Sequence, residues 1–159
     1  MRKNFHRTLG LVVLLFVVGC GFEARAQEST AMPAQGGAQS LYKRLGGYDA
    51  LAAVTDDFIG RLVADKSLGR FFGGASNDSK KRIRQLVVDQ LCAATGGPCL
   101  YIGRDMKTTH TGLGITEDDW TASVKHLTDT LDKFKVPKAE KDELFKIVGT
   151  LKPDIVEKK

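Results

Sequence analysis

The sequence predicts an all-α fold, from the spacing of its apolar residues and from the signals that start and stop its helices. Four apolar residues recur at intervals of three and four positions: Leu51, Val54, Phe58 and Leu62. This spacing places them on one face of a helix, where they can be buried together. The sequence has no sustained alternation of apolar and polar residues, which is the pattern of strands, and no internal repeat.

A second helix is predicted between a polar start and a glycine-proline stop. Asn77, Asp78 and Ser79 are residue types that cap the start of a helix. The apolar face that follows consists of Ile83, Leu86, Val87, Leu91 and Ala94. Gly96-Gly97-Pro98 then ends the helix, because glycine favours the left-handed conformation of a helix end and proline cannot continue the helix.

Two further helices are predicted toward the C-terminus. The first begins at Thr116-Glu117-Asp118-Asp119, which resembles a capping box with Asp in the place of Glu. Its apolar face consists of Trp120, Val124, Leu127, Leu131 and Phe134. Pro137 suits the first position of a last helix. The apolar face of that helix consists of Leu144, Ile147, Val148 and Leu151.

The N-terminal part of the chain has the composition of a targeting segment. A basic start with Arg2 and Lys3 precedes an apolar run over residues 9–18, which is too short to remain as a membrane anchor. Val17-Val18-Gly19-Cys20 resembles a lipoprotein box, which predicts a signal over residues 1–20 and acylation of Cys20. Ala24-Arg25-Ala26 predicts instead an ordinary signal cut after Ala26. We favour the lipoprotein box because a Cys ends the apolar run.

Beyond this segment, the chain divides into a tether and one domain. Residues 27–40 are small and polar, so they cannot bury enough apolar area to order themselves, and we expect a flexible tether. Residues 41–159 suit one small domain. Cleavage before Cys20 lowers the formal net charge from +5 to +2, with 21 basic against 19 acidic residues. Without a clustered basic stripe, the sequence predicts no nucleic-acid partner.

The sequence has three histidines, and His6 lies in the predicted signal, so His110 and His126 are left as candidates for metal chemistry. A structural zinc site needs about four closely spaced Cys or His ligands, and the sequence has no such pattern. His110 follows Met106 by one helical turn, and Gly112-Leu113-Gly114 closes that turn. A His beside an apolar residue at a glycine-rich helix end suits a flat apolar cofactor carrying one metal. His126 lies off its helix's apolar face, and we expect it at the surface.

Five stretches of the domain follow one another in a distinctive order: Leu41-Tyr42-Lys43-Arg44-Leu45-Gly46-Gly47; Asp57-Phe58 with Arg61 and Ala64-Asp65; Phe71-Phe72; Ala93-Ala94-Thr95-Gly96-Gly97-Pro98; and Tyr101-x-Gly103-x-x-Met106-x-x-x-His110-x-Gly112-x-Gly114-Ile115-Thr116. In this order they resemble the group I truncated haemoglobins, and the last stretch is the most specific. The resemblance implies a globin-like two-over-two helical sandwich that binds haem b, iron protoporphyrin IX.

The resemblance also implies roles for individual residues. His110 would be the proximal iron ligand, with its other ring nitrogen oriented by an acceptor that we expect to be a preceding backbone carbonyl. Phe72 would wedge against the haem near a corner of the fold. The other residues implied to line the cofactor on this basis are Phe58, Tyr101, Met106, Ile115 and Trp120. Lys107 would reach a haem propionate, or it would be an ordinary solvated helix charge.

The distal side of the implied site is apolar. Many members of the family place a Tyr directly after the Phe of this helix, where its hydroxyl bonds dioxygen, but here Ile59 follows Phe58. Counting back from the Gly-Gly-Pro turn places Ile83 and Val87 at the two other distal positions. A missing hydrogen bond forfeits roughly 1.5 kcal/mol, about tenfold in dissociation. We therefore expect firm binding of CO and NO and loose binding of O2, unless the register differs and another polar side chain lies there.

Cys92 and Cys99 flank the Gly-Gly-Pro turn. In an oxidising compartment, two Cys at this spacing can close a disulfide, which export favours. The alternative is two buried thiols that pack as small apolar residues.

Three classes of function remain open from the sequence. The first, which we favour, is a haem protein that reversibly binds the diatomic gases O2, NO and CO and is not an enzyme. The second is a haem redox enzyme, an NO dioxygenase or a peroxidase-like protein, with a redox partner. The third is a haem-free helical lipoprotein that serves as an interaction module. We expect the protein to be exported, either periplasmic or held at the membrane only through a lipid on Cys20.

Overall fold

A computed structural model describes residues 39–158, and every regular element in that range is helical. Seven α-helices and one 3-10 helix at Gly69–Phe72 follow in order: α1 (Leu41–Arg44), α2 (Gly47–Ala64), α3 (Asn77–Ala94), α4 (Met106–His110), α5 (Glu117–Lys133), α6 (Lys138–Gly149) and α7 (Lys152–Ile155). The all-α prediction is confirmed. The predicted signal, Cys20 and nearly all of the predicted tether lie outside the described residues.

Helix α2 is the centre of the packing. It contacts α3 on one side, α5 on another and the 3-10 helix near its end. The main core cluster joins one residue or more from each of α1, α2, α5 and α6: Leu41, Val54, Leu127, Leu131 and Leu144. Each side chain of this size contributes roughly 1.5–3 kcal/mol when it is fully buried. The predicted faces of α2, α5 and α6 therefore contribute to this core. The prediction for α3 is wrong in detail, because its buried residues are Val88 and Cys92. The predicted face residues Ile83 of α3 and Phe134 at the end of α5 are exposed.

Polar contacts fix how α2 meets its two neighbours. Arg84 of α3 donates to both carboxylate oxygens of Asp56, at 2.7 and 2.9 Å. On the other side, the Thr130 hydroxyl of α5 donates to Asp57 at 2.9 Å, and Lys133 also binds this carboxylate. These contacts set the register of α2 against α3 and α5.

The helix starts agree with the sequence patterns to within one residue. The Thr116 hydroxyl accepts from Asp119 N at 3.2 Å while Asp119 accepts from Thr116 N at 3.0 Å, so the predicted capping box is present. The cap of α3 is Ser76, whose hydroxyl accepts from Ser79 N at 3.1 Å, one residue before the predicted candidates.

The C-terminal end differs from the prediction in two details. Pro137 is the cap residue of α6, and the helix begins at Lys138. Helix α6 ends at Gly149, so Leu151 lies beyond it as the cap residue of a short further helix, α7. The apolar pattern continues across this break, which is why the sequence pattern predicted one helix. Among the helices of residues 39–158, none combines the length and the apolar composition needed to cross a membrane.

Candidate functional site

His110 is the last residue of α4, a helix of five residues. Asp105 caps this helix, since its carboxylate accepts from Thr108 N at 2.8 Å and from the Thr108 hydroxyl at 2.7 Å. The half-buried imidazole has Nδ1 at 2.8 Å from the carbonyl oxygen of Met106. A carbonyl can only accept, so Nδ1 carries the proton and donates, and Nε2 of the neutral ring keeps its lone pair. The hydrogen bond thus leaves Nε2 as the ring nitrogen that could bind a metal.

The donor set around His110 fits haem better than a metal ion bound by the protein alone. Within residues 39–158, no group of three or more His, Cys, Asp or Glu side chains is placed to hold a metal ion. A porphyrin brings its own four nitrogens and needs only one axial ligand from the chain. One oriented imidazole satisfies that need.

The loop after His110 is held from the C-terminus. Leu113 N donates to His110 O at 3.1 Å. On either side of Leu113, the N–H groups of Gly112 and Gly114 donate to the two carboxylate oxygens of Glu157, at 2.7 and 2.5 Å. These two bonds hold the pKa of Glu157 below its ordinary value, and the bond from Gly112 has the larger effect.

The segment leading to His110 is tied to the end of α3. Cys92 and Cys99 form a disulfide with their Cα atoms 5.7 Å apart, and Cys92 is fully buried. Gly97 lies inside this loop, where a Cβ would come within 2.6 Å of the Tyr42 ring and 2.7 Å of the Cys92 sulfur. Only glycine allows this approach. The Tyr101 hydroxyl then donates to Arg104 O at 2.6 Å, just before α4.

A long-range ion pair joins the elements that carry Phe72 and Trp120. Phe72 ends the 3-10 helix, and Trp120 lies in the first turn of α5. Arg70, two residues before Phe72, donates to Asp119 at 2.7 Å, next to Trp120. The two aromatic residues that the resemblance associates with the haem are therefore carried by connected elements.

The remaining predicted lining residues differ in exposure. Ile115 is buried, Lys107 is exposed, and Ile83 is 36% exposed. Six are half-buried: Phe58, Ile59, Val87, Tyr101, Met106 and Trp120. Phe58 also packs against the core cluster. The structure thus places Phe58 and Ile59 on α2, Ile83 and Val87 on α3, Met106 on α4 and Trp120 on α5, whereas Tyr101 and Ile115 lie outside the helices.

His126 is not the surface residue that we expected. It is half-buried, and its Nε2 lies 2.9 Å from Asp65 Oδ2, at the end of α2. The two residues line an open hollow of about 420 Å³ together with Arg61, Ala64, Lys66 and Asp129. The partner is 61 residues away in sequence, so no local pattern could have found it.

Comparisons with known proteins decide the family. The family model described as "Bacterial-like globin" matches residues 40–157. The group 1 truncated hemoglobin GlbN of Mycolicibacterium paratuberculosis is 36% identical over 116 residues, which cover 73% of this chain and 83% of the relative. The chain belongs to the group 1 truncated haemoglobins. A second relative, the group 1 truncated hemoglobin LI410 of Chlamydomonas moewusii, is 32% identical over 136 residues, covering 84% of this chain and 77% of that protein.

Solved structures support the same family. The Fe(III) truncated hemoglobin of Tetrahymena pyriformis superposes with a TM-score of 0.68 at 27% identity, covering 74% of this globin and 98% of that chain. The 2/2 hemoglobin of Synechococcus, solved with covalently attached haem, gives a TM-score of 0.68 at 29% identity with the same coverage. The two-over-two prediction is confirmed, and this globin binds haem and small gas molecules.

Proposed function

We propose that His110 is the iron ligand of this globin, and that its apolar distal side binds NO and CO firmly but releases O2 quickly. One observation carries the proposal: the hydrogen bond between His110 Nδ1 and Met106 O leaves Nε2 as the free nitrogen of the ring. Haem, when bound, would be held by His110 and would supply an iron able to bind a diatomic gas.

Three of the chain's own groups position the ring, one by a direct hydrogen bond and two through the backbone that carries it. The Met106 carbonyl fixes the tautomer and the ring plane. Asp105 caps the helix that presents the imidazole, and Leu113 N holds the carbonyl of His110 itself. Ligating this side chain therefore requires little reorganisation of the loop.

The loose binding of O2 rests on side-chain chemistry at three positions. Ile59, Ile83 and Val87 offer neither a hydrogen-bond donor nor a charge to a gas molecule beside them. CO binds with little need of such a donor, whereas O2 acquires partial negative charge and gains from one. An apolar distal side therefore shortens the lifetime of the O2 complex.

The test is haem uptake by His110→Ala, with His126→Gln as the matched control because it removes the other described histidine. We expect the control to take up haemin with the wild-type spectrum and the His110 variant to lose the wild-type ferric and ferrous spectra. Adding free imidazole should restore them in His110→Ala. Unchanged spectra in that variant would refute ligation by His110.

We also propose that the protein is exported, with a signal over residues 1–20 and a lipid on Cys20. The Cys92–Cys99 disulfide supports this proposal because disulfides persist in oxidising compartments. Mass spectrometry of the mature protein tests it. A mass that begins at Cys20 with attached acyl chains is expected, and a soluble product that begins after Ala26 would contradict the lipid anchor.

A further inference from the structure

The last described residues form a short strap beside the loop that follows α4. We define the C-terminal strap as residues 156–158. Glu157 N and Lys158 N both donate to Ile115 O, at 2.9 and 3.1 Å, and Glu117 N donates to Lys158 O at 3.2 Å. The strap therefore runs alongside the first residues after the loop and ends at the start of α5.

The Glu157 side chain extends from this strap into the loop. Its two oxygens accept from Gly112 N and Gly114 N, one oxygen for each amide. Positive φ angles of 87° and 66° at the two glycines turn the amides toward the carboxylate, a conformation that other residues rarely adopt. Hydrogen bonds to an ionised acceptor are stronger than neutral ones.

The two amides flank the residue that holds His110. Leu113 lies between them, and its N–H donates to the His110 carbonyl. Helix α4 has only five residues, so its own hydrogen bonds give its last residue little support. The Glu157 contacts and the Leu113 bond, together with the bond from Thr111 N to Lys107 O at 2.9 Å, hold the backbone after His110.

We propose that Glu157, on the C-terminal strap, is a positioning residue for His110 that sets the strength and orientation of its bond to iron. This inference rests on the proposed function, because it takes His110 as the ligand. Within the described residues, the Glu157 carboxylate makes no hydrogen bond to the imidazole, and its hydrogen bonds are to the loop, at Gly112 N and Gly114 N.

The experiment compares Glu157→Ala and Glu157→Gln with Asp154→Asn in the full chain. Asp154 is an exposed carboxylate of α7, and within the described residues its side chain makes no hydrogen bond. Three quantities are measured: amide hydrogen exchange at residues 112–114 in the apoprotein, the iron–histidine stretching band of the ferrous protein by resonance Raman, and the rate of haem transfer to an excess of another apoglobin.

In Glu157→Ala we expect faster exchange at the loop amides, a shifted or broadened iron–histidine band, and haem loss about tenfold faster. Glu157→Gln should lie between this variant and the wild type, since its amide oxygen can still accept from one glycine. Asp154→Asn should match the wild type in all three measurements.

A wild-type iron–histidine band and wild-type haem loss in both Glu157 variants would overturn the inference, even if the loop amides exchange faster. Lower stability with an unmoved band would show a merely structural role and would overturn it too. An iron–histidine band that survives unchanged in His110→Ala would instead refute the proposed ligand. The two failures are therefore distinguishable.

Discussion

Arg70 and Asp119 form an ion pair that joins the 3-10 helix ending at Phe72 to the first turn of α5. Arg70 Nη2 donates to Asp119 Oδ2 at 2.7 Å, and the same oxygen also accepts from Thr116 N and the Thr116 hydroxyl. Asp119 is only 5% exposed. Burial raises the pKa of this carboxyl, but the bonds from Thr116 and Arg70 more than reverse that effect, so its pKa lies below the ordinary value.

Asp119→Ala should be among the most destabilising single changes of a charged residue. It removes the capping box and leaves Arg70 unpaired, so we expect a loss of about 2–3 kcal/mol in the free energy of unfolding. Urea unfolding followed by fluorescence of Trp120, the single tryptophan, measures this loss. The control is Asp118→Ala in the same turn, where the carboxylate is exposed. Equal losses in both variants would show that neither the capping box nor the ion pair contributes.

Stability should fall on acidification below about pH 4, near the ordinary pKa of Asp. Hydrogen bonds from Arg61 and then Lys133 lower the pKa of Asp57. The pKa of Asp119 is lowered as well. A carboxylate whose pKa is lower in the folded than in the unfolded protein stabilises the fold while it is ionised. This stabilisation is fully present above the unfolded-state pKa and is lost as the pH falls through the folded-state pKa. Urea midpoints between pH 7 and pH 3 test this. Asp119→Asn should flatten the slope, and an unaltered slope would contradict the role of Asp119.

Thr55 and Thr130 can be compared directly, because both side chains are fully buried and only the Thr130 hydroxyl is hydrogen-bonded within the described residues. The Thr130 hydroxyl donates to Asp57, whereas within the described residues the Thr55 hydroxyl has no partner. Thr55→Val should stabilise the fold by about 1 kcal/mol and Thr130→Val should destabilise it by about 1 kcal/mol. Thermal unfolding of both variants measures the difference, and a loss of stability in Thr55→Val would reveal an unseen partner.

Reducing the Cys92–Cys99 disulfide should lower the free energy of unfolding by about 2.5 kcal/mol in the chain-entropy model. The measurement is urea unfolding with and without reductant. Cys99→Ser is the control, because it lacks the bridge already and should be as stable as the reduced wild type under both conditions. A reduced protein as stable as the oxidised one would contradict the expectation.

Ile59→Tyr should slow the release of O2 by about tenfold or more, because it introduces a hydroxyl donor at the position after Phe58. Ile59→Leu, which keeps the side chain apolar, should release O2 as fast as the wild type. Stopped-flow mixing of the oxygenated protein with CO measures both rates. Slow release by the wild type would show that another polar side chain already reaches the gas.

Local interactions account for most of what the sequence predicted. The apolar residues of α2 and α5, the capping box at Thr116 and the oriented ring of His110 all involve groups within four positions of each other. Their geometry follows from the helix repeat of 3.6 residues, so spacing alone indicates it. The cap of α3 was misplaced by one residue because several neighbouring residues there are good caps.

The sequence by itself determined that the chain is helical, that it carries one candidate iron ligand, and which family it resembles. Only the tertiary structure brought together Arg70 with Asp119, Glu157 with Gly112, and His126 with Asp65, pairs separated by 49, 45 and 61 residues. Such contacts depend on how whole helices pack, and no period in the sequence encodes the distance between two side chains on different helices.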